Sequence, residues 1–346
     1  MPVHAYTTVA GRINEIKGET LAHAIPVEVL ALGCKMKKMP KNQGDNISYR
    51  RWLPFGATSA SANTQNRPSA SAAAHIVSEG VTPTAEQMTP VDVNVQLQQY
   101  ACLYSYTDKA AELYEDDIPD EMKIQTGERM GLVREMIRYG ALKAGTNVSY
   151  SGGTTRLTVD EPLSLNILRR MTKTLKANHA KKKTRILSAS PNYDTAAIEA
   201  GYIVFVHTDA EPDIRDLPNF VPVAKYANRS PINENELGSC EEFRFITSPE
   251  LAPYLAGGAA IGATGLVSVG AANVDVYPFI VMGEEGAYDV ALRGADSFNL
   301  THLPHTQKDK SDPLGQRGYV GASFWSAVLI TNNGWMGVIE AGVTDV

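Results

Sequence analysis

The stretch PVDVNVQLQQYACLYSYT, residues 90–107, decides how this chain folds. Val91, Val93, Val95 and Leu97 alternate with Asp92, Asn94, Gln96 and Gln98, a strict period of two that marks a strand with one apolar face. The phase then slips, and Tyr100, Cys102, Tyr104 and Tyr106 form the next alternating set. A one-residue slip carries the apolar set to the other face, so a bulge or sharp twist is expected near Gln98-Gln99.

Upstream, Glu79-Gly-Val-Thr-Pro83 reads as a turn. Residues 57–74 are almost wholly Ala, Ser, Asn and Thr around Arg67-Pro68, a composition that suits an exposed, mobile tip. Asn46 to Leu53, with Ile47, Tyr49 and Leu53 on one face, supplies a second strand. Together these pieces describe one long hairpin. Residues 1 to about 45 mix short apolar patches with Gly, Pro and Lys35, Lys37, Lys38 and Lys41, without a period. Such an arm buries too little apolar surface to fold by itself and is expected to pack on something else.

Downstream, Pro119 suits a first helical position, after Asp116-Asp117 and before Asp120-Glu121. The stripe Met122, Thr126, Met130, Val133, Ile137, Ala141, Ala144 steps by three or four, and Gly145 can end it. A helix from Pro119 to Ala144 would span about 39 Å at ~1.5 Å per residue. Gly127, Gly131 and Gly140 weaken it by up to ~1 kcal/mol each against Ala, so it needs tertiary support or a close neighbour. A second helix runs from about Ser164 to Ala177, with Leu165, Leu168, Met171 and Leu175 inward. Tyr202 to Val206, Phe243 to Ile246 and Val274 to Met282, the last interrupted by Pro278, read as strands. Phe324 to Thr331 and Trp335 to Ile339, joined by Asn332-Asn333-Gly334, read as a C-terminal hairpin. The class is mixed α+β with non-local pairing.

The 346 residues suggest about two domains at ~150 residues each. A hydrophobic share of 43% and a charged share of 20% are ordinary for a globular protein. The net charge of −6 argues against a chain that grips nucleic acid over a wide basic face. Cys34, Cys102 and Cys240, an odd count without C-x-x-C pairing, fit a reducing cytoplasm and supply no zinc framework. Met1 to Ala10 lacks a basic region followed by an apolar one, so no signal peptide is expected. Leu251 to Val274 carries no charge and is long enough to span a membrane. Its many glycines and alanines contribute little transfer free energy, so it reads as a small-residue loop region.

Chemistry is sparse. His207-Thr-Asp209 with Asp213 offers imidazole and carboxylates that suit zinc or manganese, but the plainer reading is a strand end with helix caps. Gly258, Gly262 and Gly265 lack the flanking strand and helix that a dinucleotide fingerprint needs. No G-x-S-x-G elbow is present, and Glu284-Glu285 lies between Gly283 and Gly286 as loops do. Neither a catalytic residue nor a cofactor or metal site is expected. Charge segregation is more informative. Glu112, Glu115, Asp116, Asp117, Asp120 and Glu121 crowd one segment. Arg169, Arg170, Lys173, Lys176, Lys181, Lys182, Lys183 and Arg185 form a basic counterpart, with no acid between Asn166 and Tyr193. These are either two solvated faces or complementary subunit surfaces that set register; a basic face on packaged DNA is a further option.

Longer runs carry a resemblance. Tyr202-Ile-Val-Phe-Val-His207-Thr-Asp209 leads into Asp216-Leu-Pro-Asn-Phe-Val-Pro-Val-Ala-Lys-Tyr-Ala-Asn-Arg-Ser-Pro231, then Glu236-Leu-Gly-Ser-Cys-Glu-Glu-Phe-Arg-Phe245. Asp312-Pro-Leu-Gly-Gln-Arg-Gly-Tyr-Val-Gly321 and Trp335-Met-Gly-Val-Ile-Glu340 follow near the end. These runs, with Glu79 to Pro83, Ala141 to Asn147 and Leu175 to Asn178, resemble the major capsid protein family typified by the N-four-like tailed phages. The order matches over nearly the whole chain, and Asp312 to Gly321 is the most specific piece. Ala322-Ser323 stands where a large aromatic and a lysine are expected, and Glu241-Glu242 where a turn glycine is usual.

The resemblance implies the Hong Kong 97-type capsid fold. Residues 1–45 would be the N-terminal arm and 46–106 the extended-loop hairpin. Residues 107–164 would be the peripheral domain with its spine helix, 165–310 the axial domain, and 311–346 the return to the peripheral domain. The implied role is a structural subunit and not an enzyme. It would form pentamers and hexamers of an icosahedral shell around double-stranded DNA held without sequence specificity. It would work with a separate scaffold, a portal and decoration proteins, and with no membrane. Assembly would take place in the host cytoplasm, and the mature location would be the virion. Candidate contacts between subunits are Arg50, Arg51, Trp52, Arg67, Asp116, Asp117, Lys181, Lys182 and Lys183. The alternatives are an encapsulin-like nanocompartment enclosing an enzyme, and a metal-dependent hydrolase at His207 and Asp209.

Overall fold

The computed structural model describes residues 25–57, 66–83, 85–113, 117–187, 197–226, 231–262, 265–270, 272–294, 298–308, 310 and 312–346. In chain order the first strands are β1 (Lys35–Met39), β2 (Asn46–Trp52), β3 (Pro90–Gln96) and β4 (Gln98–Thr107). Helices α1 (Asp108–Leu113) and α2 (Ile118–Leu142) follow, then β5 (Val148–Tyr150) and α3 (Leu165–Ala177). Next come β6 (Tyr202–Val206), α4 (Glu211–Arg215), β7 (Phe220–Pro222), β8 (Glu236–Cys240) and β9 (Phe243–Thr247). The chain closes with β10 (Tyr277–Met282), β11 (Ala287–Leu292), β12 (Asn299–Leu303), β13 (Arg317–Ile330) and β14 (Met336–Ala341).

The phase slip is a change of sheet. β3 pairs with β2 in a separate two-stranded ribbon, whereas β4 pairs along β13 in a five-stranded sheet. Leu97, one residue before the expected bulge, is the junction; it is buried, and its N–H donates to the Asp45 carbonyl at 2.8 Å. The five-stranded sheet runs β1-β11-β13-β12, with β4 on the other side of β13. The second large sheet has seven strands in the order β5-β14-β10-β6-β9-β8-β7.

Every residue of β6, β8, β9, β10 and β14 is buried. The unbroken apolar run of β6 therefore means a strand covered on both faces. One face packs with α3 through Ile167, Leu168, Met171 and Leu175. These four side chains contribute roughly 1.5–3 kcal/mol each. The other face takes Val29, Leu30, Tyr139 and Leu142, the last two from the end of α2. Pro278 is tolerated in β10 because pairing with β6 covers only Ile280 to Met282, so its missing N–H breaks no bond there.

Two expectations are corrected. The two strands flanking Asn332-Asn333-Gly334 do not form a hairpin: β13 belongs to the five-stranded sheet and β14 to the seven-stranded one. Ser326 to Ile330 of β13 pair with β11, and β14 is held between β10 and β5. The same geometry makes the C-terminal segment serve both sheets. The buried face of α2 also differs. Met122, Thr126 and Met130 are buried as expected, and half-buried Val133 and Ile137 pack beside Met130 on Ala322 and Phe324, but Glu135, Arg138, Tyr139 and Leu142 are buried too, while Ala144 lies beyond the helix and is exposed. Asp117 caps this helix, accepting from the Asp120 N–H at 3.2 Å, with Pro119 in the first turn.

Of the glycines in α2, Gly131 has a close neighbour: a Cβ there would sit 2.1 Å from Glu28 Oε1. Gly127 and Gly140 face open space. The turn between β8 and β9 holds Glu241 at φ 49°, the left-handed region where a glycine would rest without strain.

Candidate assembly surfaces

The ribbon is a cross-strand ladder. Arg50 grips Asp92 through Nε and Nη2, both at 2.8 Å, and Ser48 donates to Asn94 at 2.6 Å. Its root packs on the five-stranded sheet, with Ile47, Tyr49 and Val95 against Met39, Val290 and Tyr288. The Tyr49 and Tyr288 rings meet edge to face at 5.5 Å. Beyond the root the ribbon bares apolar side chains. Trp52, Phe55, Ile76, Val77, Val81 and Met88 are each 54–78% exposed. Six large apolar side chains are thus bared on one projection, more than a monomer's surface usually carries in one place.

The distal segment is tied back to the body by an amide pair. Asn66 Nδ2 donates to Asn332 Oδ1 and Asn332 Nδ2 donates to Asn66 Oδ1, both at 2.7 Å. Arg51 Nη1 adds a donor to Asn66 Oδ1 at 3.0 Å. Gly334 is needed beside them, since a Cβ there would lie 2.2 Å from Asn66 Nδ2. The turn expected from Asn332-Asn333-Gly334 is thus an anchor for the ribbon.

A buried ionic centre joins α2, the five-stranded sheet and the segment entering from the N-terminus. Glu135 is fully buried, and its Oε1 accepts from the Val29 and Leu30 N–H groups, both at 2.7 Å. Arg138 donates to Asp289 Oδ2 from Nε at 3.0 Å and Nη2 at 2.7 Å, and to Glu135 Oε2 at 3.3 Å. Arg134 reaches the same Asp289 oxygen at 3.4 Å. Burial works against the Arg138 charge, but Asp289 and Glu135 outweigh it and its pKa is raised. Burial, then the Glu135 charge, pushes the Glu28 carboxyl up. Burial pushes the Cys34 thiol up to about 12, which leaves it protonated and inert. The sequence hid this centre because Glu135 and Arg138 look like an ordinary surface pair at i, i+3.

The predicted contact residues divide. Trp52, Arg67 and Lys181 are exposed. Arg50 is largely exposed but engaged with Asp92, and Arg51 turns inward to Asn66. Asp117 is the cap of α2, and Asp116 lies outside the described residues. Lys182 pairs with Glu242 at 3.2 Å. Lys183 is half-buried: its Nζ donates to the Gly33 carbonyl at 2.6 Å, and burial lowers its pKa.

The candidate metal ligands serve as a cap and as hydrogen-bond acceptors. His207 Nδ1 accepts from the Asp209 N–H at 3.1 Å, Asp209 accepts from the Tyr277 hydroxyl at 2.8 Å, and Asp213 accepts from the Thr344 N–H at 2.9 Å. Among the described residues no three His, Cys, Asp or Glu side chains converge as metal ligands. The uncharged loop 251–274 is held by Asp275, which accepts from the Ala256 and Val269 N–H groups. Among the described residues no helix is long and apolar enough to cross a membrane.

This architecture is the α+β fold of phage capsid subunits. The chain superposes on the cyanophage Pam1 capsid subunit with a TM-score of 0.63, covering 99% of this chain and 98% of that one at 12% identity. The Ralstonia phage GP4 capsid gives a TM-score of 0.65 at 12% identity, over 96% and 95% of the two chains. The head of Helicobacter pylori bacteriophage KHP40 gives 0.59 at 10% identity, over 95% and 94%. In sequence the chain is similar to the major capsid protein of Pseudomonas phage KPP21, 21% identical over 273 residues, 71% of this chain and 66% of that protein. The match thus spans just under two thirds of that relative's length. No family model matches the chain.

Proposed function

We propose that this chain is the major capsid protein of a tailed double-stranded-DNA phage, a structural subunit that forms pentamers and hexamers and closes into an icosahedral shell around the genome. The observation that carries the reading is the overlay on a capsid subunit along 99% of the chain. A protein whose function lies in contact surfaces needs no catalytic constellation, and the bared apolar ribbon is such a surface.

In the Hong Kong 97-type reading, the ribbon and its tip are the extended loop and α2 is the spine helix. The five-stranded sheet belongs to the peripheral domain and the seven-stranded sheet to the axial domain. Residues 1–45 are the arm. The extended loop lies over a neighbour, whose surface covers Trp52 and Phe55. Heterologous contacts of this kind repeat around symmetry axes and close a ring. Assembly takes place in the host cytoplasm with a separate scaffold and a portal, decoration proteins dress the finished shell, and the mature location is the virion.

The test is negative-stain electron microscopy and sedimentation of the purified full-length chain. Rings of five or six copies, or closed shells, are expected. A chain that stays monomeric at every concentration tried overturns the reading. Shells that enclose a co-expressed enzyme, and exclude nucleic acid, would convert it to a nanocompartment.

A further inference from the structure

We propose that the basic solvent face of α3 receives the acidic start of α2 from a second copy of this chain, head to tail, so that charge sets the register between neighbouring subunits. The proposal rests on the shell reading above and adds to it which surfaces meet.

The α3 helix is divided cleanly. Its apolar side enters the core, and Arg169, Arg170, Lys173 and Lys176 are all exposed. Their i, i+1, i+4, i+7 spacing puts them on one face. Lys181, just past the helix, is exposed too. Among the described residues two carboxylates pair with this face, both in the β8–β9 turn, and the Glu285 charge also acts on Lys181. Glu241 takes Arg169, and Glu242 takes Lys176 and Lys182. Among the described residues no carboxylate comes within ion-pair distance of Arg170, Lys173 or Lys181, so the face keeps an excess of positive charge.

The complement stands at the start of α2. Glu112, Asp117 and Asp120 are exposed and Glu121 is half-buried. Lys123 pairs with Asp120, and His305 lies 3.3 Å from Glu112. The remaining carboxylates leave a net negative surface.

These two surfaces cannot neutralise each other inside one chain. The start of α2 packs with Tyr106 and Val320 of the five-stranded sheet, and its end packs with Val338 beneath the seven-stranded sheet. The α3 helix packs against β5 and β14 of that second sheet. The charged surfaces are therefore separated by about the length of α2, roughly 37 Å for its 25 residues. That is several Debye lengths at ~8 Å each in physiological salt. Opposite patches at opposite ends of one molecule are complementary only between copies, and such a contact is heterologous. Its charges contribute orientation and register more than affinity.

The test uses the full-length chain in three forms beside the wild type. One carries Arg170→Glu, Lys173→Glu and Lys181→Glu, one carries Glu112→Lys and Glu121→Lys, and one carries all five. Each is checked for wild-type thermal unfolding, then read by sedimentation and electron microscopy. Loss of rings and shells in the first two, with recovery in the third, is expected. The wild-type assemblies should also shift toward monomer in raised salt, a readout that needs no substitution. Normal rings from either single-patch variant overturn the contact while leaving the shell reading intact, whereas a monomeric wild type overturns the shell reading itself. Loss without recovery in the combined form also overturns the pairing. Normal shells that hold less nucleic acid in the first variant would reassign the face to packaged DNA.

Discussion

Arg138 in α2 closes on Asp289 in β11 with two donors on one carboxylate oxygen, Nε at 3.0 Å and Nη2 at 2.7 Å. Both side chains are 3% exposed, and 151 residues separate them in the chain. Removing one member of such a pair strands the other charge in the interior, at a cost of about 3–5 kcal/mol. Asp289→Ala should therefore lower the unfolding free energy by that order in a urea titration. Arg138→Leu with Asp289→Leu should cost less than either single change. A neutral single substitution would show that the pair only packs.

Glu135 fastens the entering chain by accepting from Val29 and Leu30. Glu135→Ala leaves two buried N–H groups unmet, at ~1–3 kcal/mol each. Amide exchange across residues 25–32 should accelerate more than exchange in β6 or β10. Uniform acceleration would assign Glu135 to global stability alone.

Glu28 gives a pH dependence whose sign can be worked out. Burial and the Glu135 charge hold its carboxyl above the unfolded value of 4.5. Protonation is thus favoured by folding, and this contribution to stability is fully present below pH 4.5 and lost as pH rises through the raised folded pKa. Glu28→Gln should be more stable than wild type at neutral pH and equal to it near pH 4, with the difference opening just above 4.5. Its side chain is 40% exposed, so after solvent screening the gain stays under about 1 kcal/mol. Equal pH profiles for the two chains would remove the effect.

Asn66→Ala breaks the reciprocal amide pair with Asn332. Protease cleavage within residues 53–89 should speed up, while the melting temperature of the body falls little, since the lost bonds are worth ~1 kcal/mol each. Gly334→Ala should act in the same direction through its clash with Asn66. Unchanged cleavage would mean that the ribbon root on Tyr288 suffices to hold it.

Elements with a strong local period were legible. The alternation of Val91, Val93 and Val95 located β3, and the acids around Pro119 located the start of α2 within a residue. The contents of α3 followed from Leu168, Met171 and Leu175. What local pattern cannot carry is which edge is free. Phe324 to Thr331 and Trp335 to Ile339 have the look of a hairpin, yet β14 pairs with β10 and β5, and Asn147 holds it there by donating to the Met336 carbonyl at 2.9 Å. Buried charge escapes local pattern for a related reason. Lys183 and Glu135 are hydrophilic in sequence, and only partners far along the chain turn them inward.

Leu97 makes the ribbon and the body share one parity. The apolar face of β3 and the apolar face of β4 are out of step by a single residue, and the junction absorbs that step. Lengthening the chain there by one residue would turn the whole ribbon over, lifting Tyr49 off Tyr288 and presenting Arg50 and Asp92 to the body instead. Two residues would restore the facing and only move the ribbon along. Descendants of this chain can therefore change the reach of the projection in pairs of residues, while any odd change must be matched by a second one elsewhere in the ribbon.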